Sequence, residues 1–170
     1  MAEDQESKRN GGIKIGSMLV GLVLGLVLTA GIGWTAMPRM MLQVHQSRYS
    51  DVDQTCAALK TAIEAAGWHC PAIRNMNKSM GELGLEHDRP IRIVELCRAD
   101  YAHDVLAANP EVSTLMPCAF GVYKGSDGKV YISGMNTGLM GTMFGGRIAE
   151  VMGTKVARDE KKILETVIVH

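Results

Sequence analysis

Aromatic side chains make up only 5% of this 170-residue chain, and its formal net charge is zero. With neither a basic stripe nor stacking aromatics, nucleic acid is excluded as a partner. Catalytic signatures are missing as well. There is no CxxC, no CxxCH for covalent haem and no HExxH, and the glycine stretches neither lead into GK[ST] nor match GxGxxG. No serine sits in a nucleophile elbow, and His103 with Asp104 falls on a helix flank without a nucleophile beside it. The sequence argues against an enzyme.

Charge is also missing locally. From Ile15 to Met37, "IGSMLVGLVLGLVLTAGIGWTAM", 23 positions carry no charged residue. As a helix this run would rise roughly 35 Å against a hydrocarbon core of about 30 Å, so a single-pass transmembrane helix over 15–37 is expected, following a tail at 1–14. The run is longer than a signal-peptide core and no A-x-A site follows it, which favours an anchor over a cleaved leader. Three basic residues precede it (Lys8, Arg9, Lys14) and two follow closely (Arg39, Arg48). That bias points to a cytoplasmic N-terminus and an outward domain at the inner membrane, periplasmic in a Gram-negative source. Ser17, Gly21, Gly25, Thr29 and Gly33 recur every four residues, a small-residue stripe suited to a homodimer or to membrane-complex assembly; glycine is also simply common in membrane helices.

Residues 38–49 read as a juxtamembrane linker or first strand, and 50–170 as one domain. "SDVD" at Ser50 to Asp53 matches a capping box, and Val52, Cys56, Leu59, Ile63 and Ala66 form an amphipathic stripe that Gly67 can end. "WHCPAIRN" reads as a short strand that Pro71 demotes toward an edge, "MNKSMGELGLEHD" as a loop with a helical turn, and "PIRIVELC" as a strand. "DYAHDVLAANP" is a short helix with Ala102, Val105 and Leu106 inward, stopped at Pro110. In "CAFGVYKGSDGKVYISGM" a Ser126-Asp127-Gly128 loop with Gly128 left-handed pairs positions whose numbers sum to 254: Tyr123 with Tyr131, Val122 with Ile132, Cys118 with Asn136. Asn136 or Thr137 can cap a following helix, and "KVARDEKKILETVIV" closes the chain as a helix burying Val156, Ile163, Leu164 and Val167. The expected order is helix, strand, strand, helix, strand, strand, helix: an α+β antiparallel sheet with helices on one face.

"TCAALKTAIEAAGWHCPAI", "PCAFGVYKGSDGKVYIS" and "NTGLMGTMFGG" together resemble the domain of unknown function 302 family, over nearly all of residues 50–168. The resemblance implies a small, compact, often dimeric α+β fold, and carries no reaction. Many members seen this way have an aliphatic residue where Cys118 stands and no anchor, so the chain resembles a cysteine-bearing, tethered branch.

Four cysteines in an outward domain allow three disulfide connectivities. Cys56 lies on a buried stripe and reads as a small core hydrophobe, while Cys70, beside His69 and Pro71, points to no single role. Cys97 ends one strand and Cys118 begins the next. If those strands are antiparallel neighbours, the pair can form a disulfide worth about 3 kcal/mol, cycle as a redox couple, or bind a soft metal or non-covalent haem with Met135, Asn136, Met140 and Met143 nearby; otherwise they are unrelated core thiols. The methionine and glycine segment suits adaptable packing, or a flap repacking around an apolar ligand. The leading expectation is a membrane-anchored binding module for a soft metal, haem or apolar small molecule. Its rivals are a thiol-disulfide redox participant and a structural subunit of a membrane complex.

Overall fold

The computed structural model describes residues 18–31, 33, 37 and 39–169. The chain divides into two compact units, Met1–Arg39 and Met40–His170. In the first, the continuous described helix covers 18–31. Among the described residues no helix is long and apolar enough to cross a membrane. This corrects the expected single-pass span over 15–37, and the inner-membrane placement and outward orientation that rested on it are left without support. Of that span, residues 15–17, 32 and 34–36 lie outside the described residues.

The second unit begins earlier than expected, because part of the stretch read as linker or strand forms β1 (Leu42–Gln46). Helix α1 (Val52–Ala65) starts at Val52, as its apolar stripe indicates, but Asp51 rather than Ser50 is the cap, its carboxylate accepting from Gln54 N at 2.8 Å. Gly67, at φ +77°, turns the chain out of α1 in the left-handed region. Then follow β2 (Ile73–Asn75), α2 (Met76–Gly81), β3 (Ile91–Leu96) and α3 (Ala99–Ala108). A 3-10 segment, Pro110–Leu115, leads into β4 (Cys118–Lys124) and β5 (Val130–Met135). After β5 come α4 (Thr137–Phe144) and α5 (Gly146–Glu150), then a π-helical segment, Val151–Val156, continuing as α6 (Ala157–Glu165). The terminal helix is thus longer than expected and is widened at its middle.

The five strands form one sheet in the order β1-β5-β4-β3-β2, every neighbour antiparallel. The hairpin has the expected register, with Tyr123 opposite Tyr131 and Val122 opposite Ile132, and Gly128 takes φ +79°. Alternation sends Val94, Leu96, Phe120, Val122, Val130 and Ile132 to one face, all buried. Against them pack Val52, Cys56, Leu59 and Ile63 of α1, and Ile163 and Leu164 of α6. Burying each aliphatic side chain there contributes about 1.5–3 kcal/mol. On the opposite face Leu42 and Val44 are exposed, and Tyr123 and Tyr131 stack with ring centroids 5.8 Å apart.

Candidate functional site

Strands β3 and β4 are antiparallel neighbours, so the end of one lies beside the start of the other. Leu96, rather than Cys97, stands opposite Cys118, and Cys97 exchanges backbone hydrogen bonds with His69 on its other side. All four cysteines are free thiols. Cys97 and Cys118 both line a void of about 20 Å³ under Trp68, Tyr101 and Met116. One water fills such a space, so the junction between the two cysteines has no room for haem.

The larger opening is on the other side of Cys118. Where β4 begins and β5 ends lies a cavity of about 400 Å³. Strand alternation brings Ala119, Gly121, Ser133 and Met135 to it from the face opposite the core, with Leu42 and Ile93 beside them. Thr114 and Leu115 approach from the 3-10 segment. Cys118, Thr137, Met140, Met152 and Glu160 close its inner end. The missing side chain at Gly121 keeps this space open, since a Cβ there would stand 2.8 Å from Ser133 Oγ. A second cavity, also about 400 Å³, lies between β1 and α6, lined by Gln43, His45, Asn136 and Lys161 among others. Thr137 and Glu160 line both.

Glu160 is 8% exposed. Its Oε2 accepts a hydrogen bond from the Thr137 hydroxyl at 2.7 Å. Burial raises its carboxyl to about 7, a rise that the threonine hydrogen bond only partly opposes. The Cys118 thiol is pushed up to about 12, first by burial, then by the Glu160 charge and the neighbouring Cys97. Cys118 is therefore a neutral thiol at neutral pH, a poor nucleophile and a poor metal ligand in this form. Burial likewise raises Cys56, a core residue at 3% exposure, to about 11, and raises Cys70 above its ordinary value.

Of the residues singled out in sequence, Cys118, Met135 and Met140 converge on the larger cavity. Cys97 remains on the small void. Met143 is 52% exposed and lines neither. Asn136 is occupied structurally: its side-chain oxygen accepts from Leu139 N at 3.0 Å, capping α4, and its amide donates to the Met40 carbonyl. Gly21, Gly25, Thr29 and Gly33 lie on exposed helical positions, and Ser17 is outside the described residues. Among the described residues no group of three or more histidine, cysteine or acidic side chains could hold a metal ion. Glu160 and Thr137 were missed, although the signal existed: Glu160 stands four residues from both Val156 and Leu164, on the apolar stripe of the last helix.

The profile of the family described as Domain of unknown function DUF302 matches residues 43–167. An uncharacterized conserved protein DUF302 from Bacillus stearothermophilus, known from a crystal structure, is similar at 20% identity. The likeness covers 75% of this chain and 98% of that one, with a TM-score of 0.67, and bears on the fold alone. No curated protein matched this chain.

Proposed function

This chain belongs to the DUF302 family, and from that premise we propose that its α+β domain is a binding module for an apolar small molecule, held in the cavity between the start of β4 and the end of β5. The family description names no reaction, so the geometry carries the reading. One observation supports it above the others. A space of about 400 Å³, within the roughly 300–1,000 Å³ range of small-molecule sites, is walled mainly by aliphatic and methionine side chains around a few polar groups. Met135, Met140 and Met152 line it with unbranched, polarisable side chains that repack around ligands of different shape. Soft-metal, haem and thiol-redox readings draw less support, because Cys118 is neutral and Cys97 faces a space of one water.

The test is a titration of the full chain, carrying ¹³C-methyl methionine, with n-hexanol. Saturable shifts of the Met135, Met140 and Met152 methyls are expected, with Met80, on α2 and outside the cavity lining, unmoved. Ala119→Trp, at an exposed lining position, fills the mouth and abolishes them. Shifts that are absent, or spread evenly over all methionines, overturn the assignment.

A further inference from the structure

The lining of the β4/β5 cavity contains one charged side chain, Glu160, and no lysine, arginine or histidine. Glu160 is more than nine-tenths buried and makes no ion pair among the described residues. Its one hydrogen bond takes Oε2 to Thr137. No fully enclosed side-chain oxygen among the described residues goes without a partner, so Oε1, which has no hydrogen bond among them, is open to the space of the two cavities that Glu160 lines, the β4/β5 cavity being the one without a cation. The nearest cation along the chain does not supply the missing charge: Lys161 lines the neighbouring cavity and reaches Glu165 at 4.0 Å instead. A carboxylate held out of water without a counter-charge is costly, and a ligand that brings one relieves that cost.

Resting on the binding reading above, we propose that the ligand is an apolar molecule ending in a protonated amine, whose ammonium group donates to Glu160 Oε1 while its hydrocarbon part covers Leu115, Met135 and Met140. The same arrangement rejects an apolar molecule ending in a carboxylate, because two like charges would then share a poorly hydrated space. It discriminates less strongly against a neutral alcohol, which gains one hydrogen bond without charge compensation.

Calorimetric titration of the full chain with n-hexylamine, n-hexanol and n-hexanoate separates these cases, since the three share one hydrocarbon chain. Hexylamine should bind about ten-fold or more tighter than hexanol, and hexanoate more weakly than either. Glu160→Gln should bring the amine down to the level of the alcohol and leave the alcohol where it was, and Ala119→Trp should remove both. The ratio of amine to alcohol is read on the unaltered chain, so it does not depend on a variant folding. Hexanol binding as tightly as hexylamine overturns the amine assignment and leaves the apolar-binding reading standing. Amine binding that survives Glu160→Gln overturns it too. Failure of all three ligands removes the cavity reading and the amine assignment together.

Discussion

Glu160 is an acid placed where its charged form is disfavoured, and this has a consequence for stability that can be measured. Its carboxyl is raised from 4.5 to about 7 in the folded chain, so the folded state holds the proton more tightly than the unfolded state does. Below about pH 4.5 both states are protonated and the group's contribution is fully present; it is lost as pH rises through about 7. At one unit per 1.36 kcal/mol the loss is about 3 kcal/mol. Glu160→Gln should match the parent in acid and exceed it in stability above neutrality, as read from urea unfolding across that window. Cys118 from β4, His45 from β1, and Lys161 and Glu165 on α6 share the surrounding space. They are present in both chains, so the difference between the two curves isolates Glu160. Parallel curves would refute the assignment of a strained, buried acid.

At the level of elements, the inner end of the cavity depends on how closely α4 crosses the π-helical segment. A Cβ added at Gly141 would lie 2.3 Å from Gly153 Cα and 2.5 Å from Gly153 N. Those are backbone atoms, which cannot rotate away as a side chain would. Gly141→Ala should therefore cost about 3 kcal/mol or more and push the two helices apart. Gly138, one turn earlier, supplies the contrast: its nearest neighbours are Asn136 Oδ1 at 3.4 Å and the Ala157 methyl at 3.8 Å. There the helix preference of alanine, about 0.5–1 kcal/mol, meets no obstruction, and Gly138→Ala should be neutral or slightly stabilising. Thermal unfolding of the two variants distinguishes them; equal effects would mean that the close crossing is not what requires glycine at 141. Met152, on the π-helical segment, lines both the void near Cys97 and the β4/β5 cavity.

Across the whole α+β unit, Asp159 joins segments far apart in the chain. Its Oδ2 accepts from Trp68 Nε1 at 3.3 Å, Arg98 Nη1 at 3.4 Å and the Tyr101 hydroxyl at 3.3 Å, while Arg158 Nε reaches Oδ1. Arg98 also lies over the Tyr101 ring at 4.3 Å, and Trp68 meets that ring edge-on at 5.7 Å. Removing the acceptor leaves a buried indole N–H and a part-buried phenol facing a shared, emptied space. Asp159→Ala should cost about 3 kcal/mol, visible as a lower urea midpoint with an unchanged slope. A loss below about 0.5 kcal/mol would mean that water replaces the carboxylate without penalty.

Local chemistry was sufficient for several elements, because it acts over a few residues. The hairpin register follows from one left-handed glycine, Gly128, between two runs rich in strand-forming residues, and α1 from the spacing of Val52, Cys56, Leu59 and Ile63. Asn136 was legible as a cap, and the family resemblance as a set of short runs. β1 was read as linker or first strand, since its short alternation puts polar Gln43 and His45 inward and apolar Leu42 and Val44 on the exposed side, the reverse of a core strand. The apolar run near the N-terminus was plain in composition, yet among the described residues no helix is long and apolar enough to cross a membrane. The cavity was beyond reach for a related reason. Cys118, Met135, Met140 and Glu160 are dispersed along the sequence and meet only where strand ends, a 3-10 turn and the last helix fail to fill the space between them. Sequence alone determined which segments fold and which of their faces avoid water. Tertiary packing decided which distant side chains share the remaining space, because a void belongs to the fit between elements and to none of them singly.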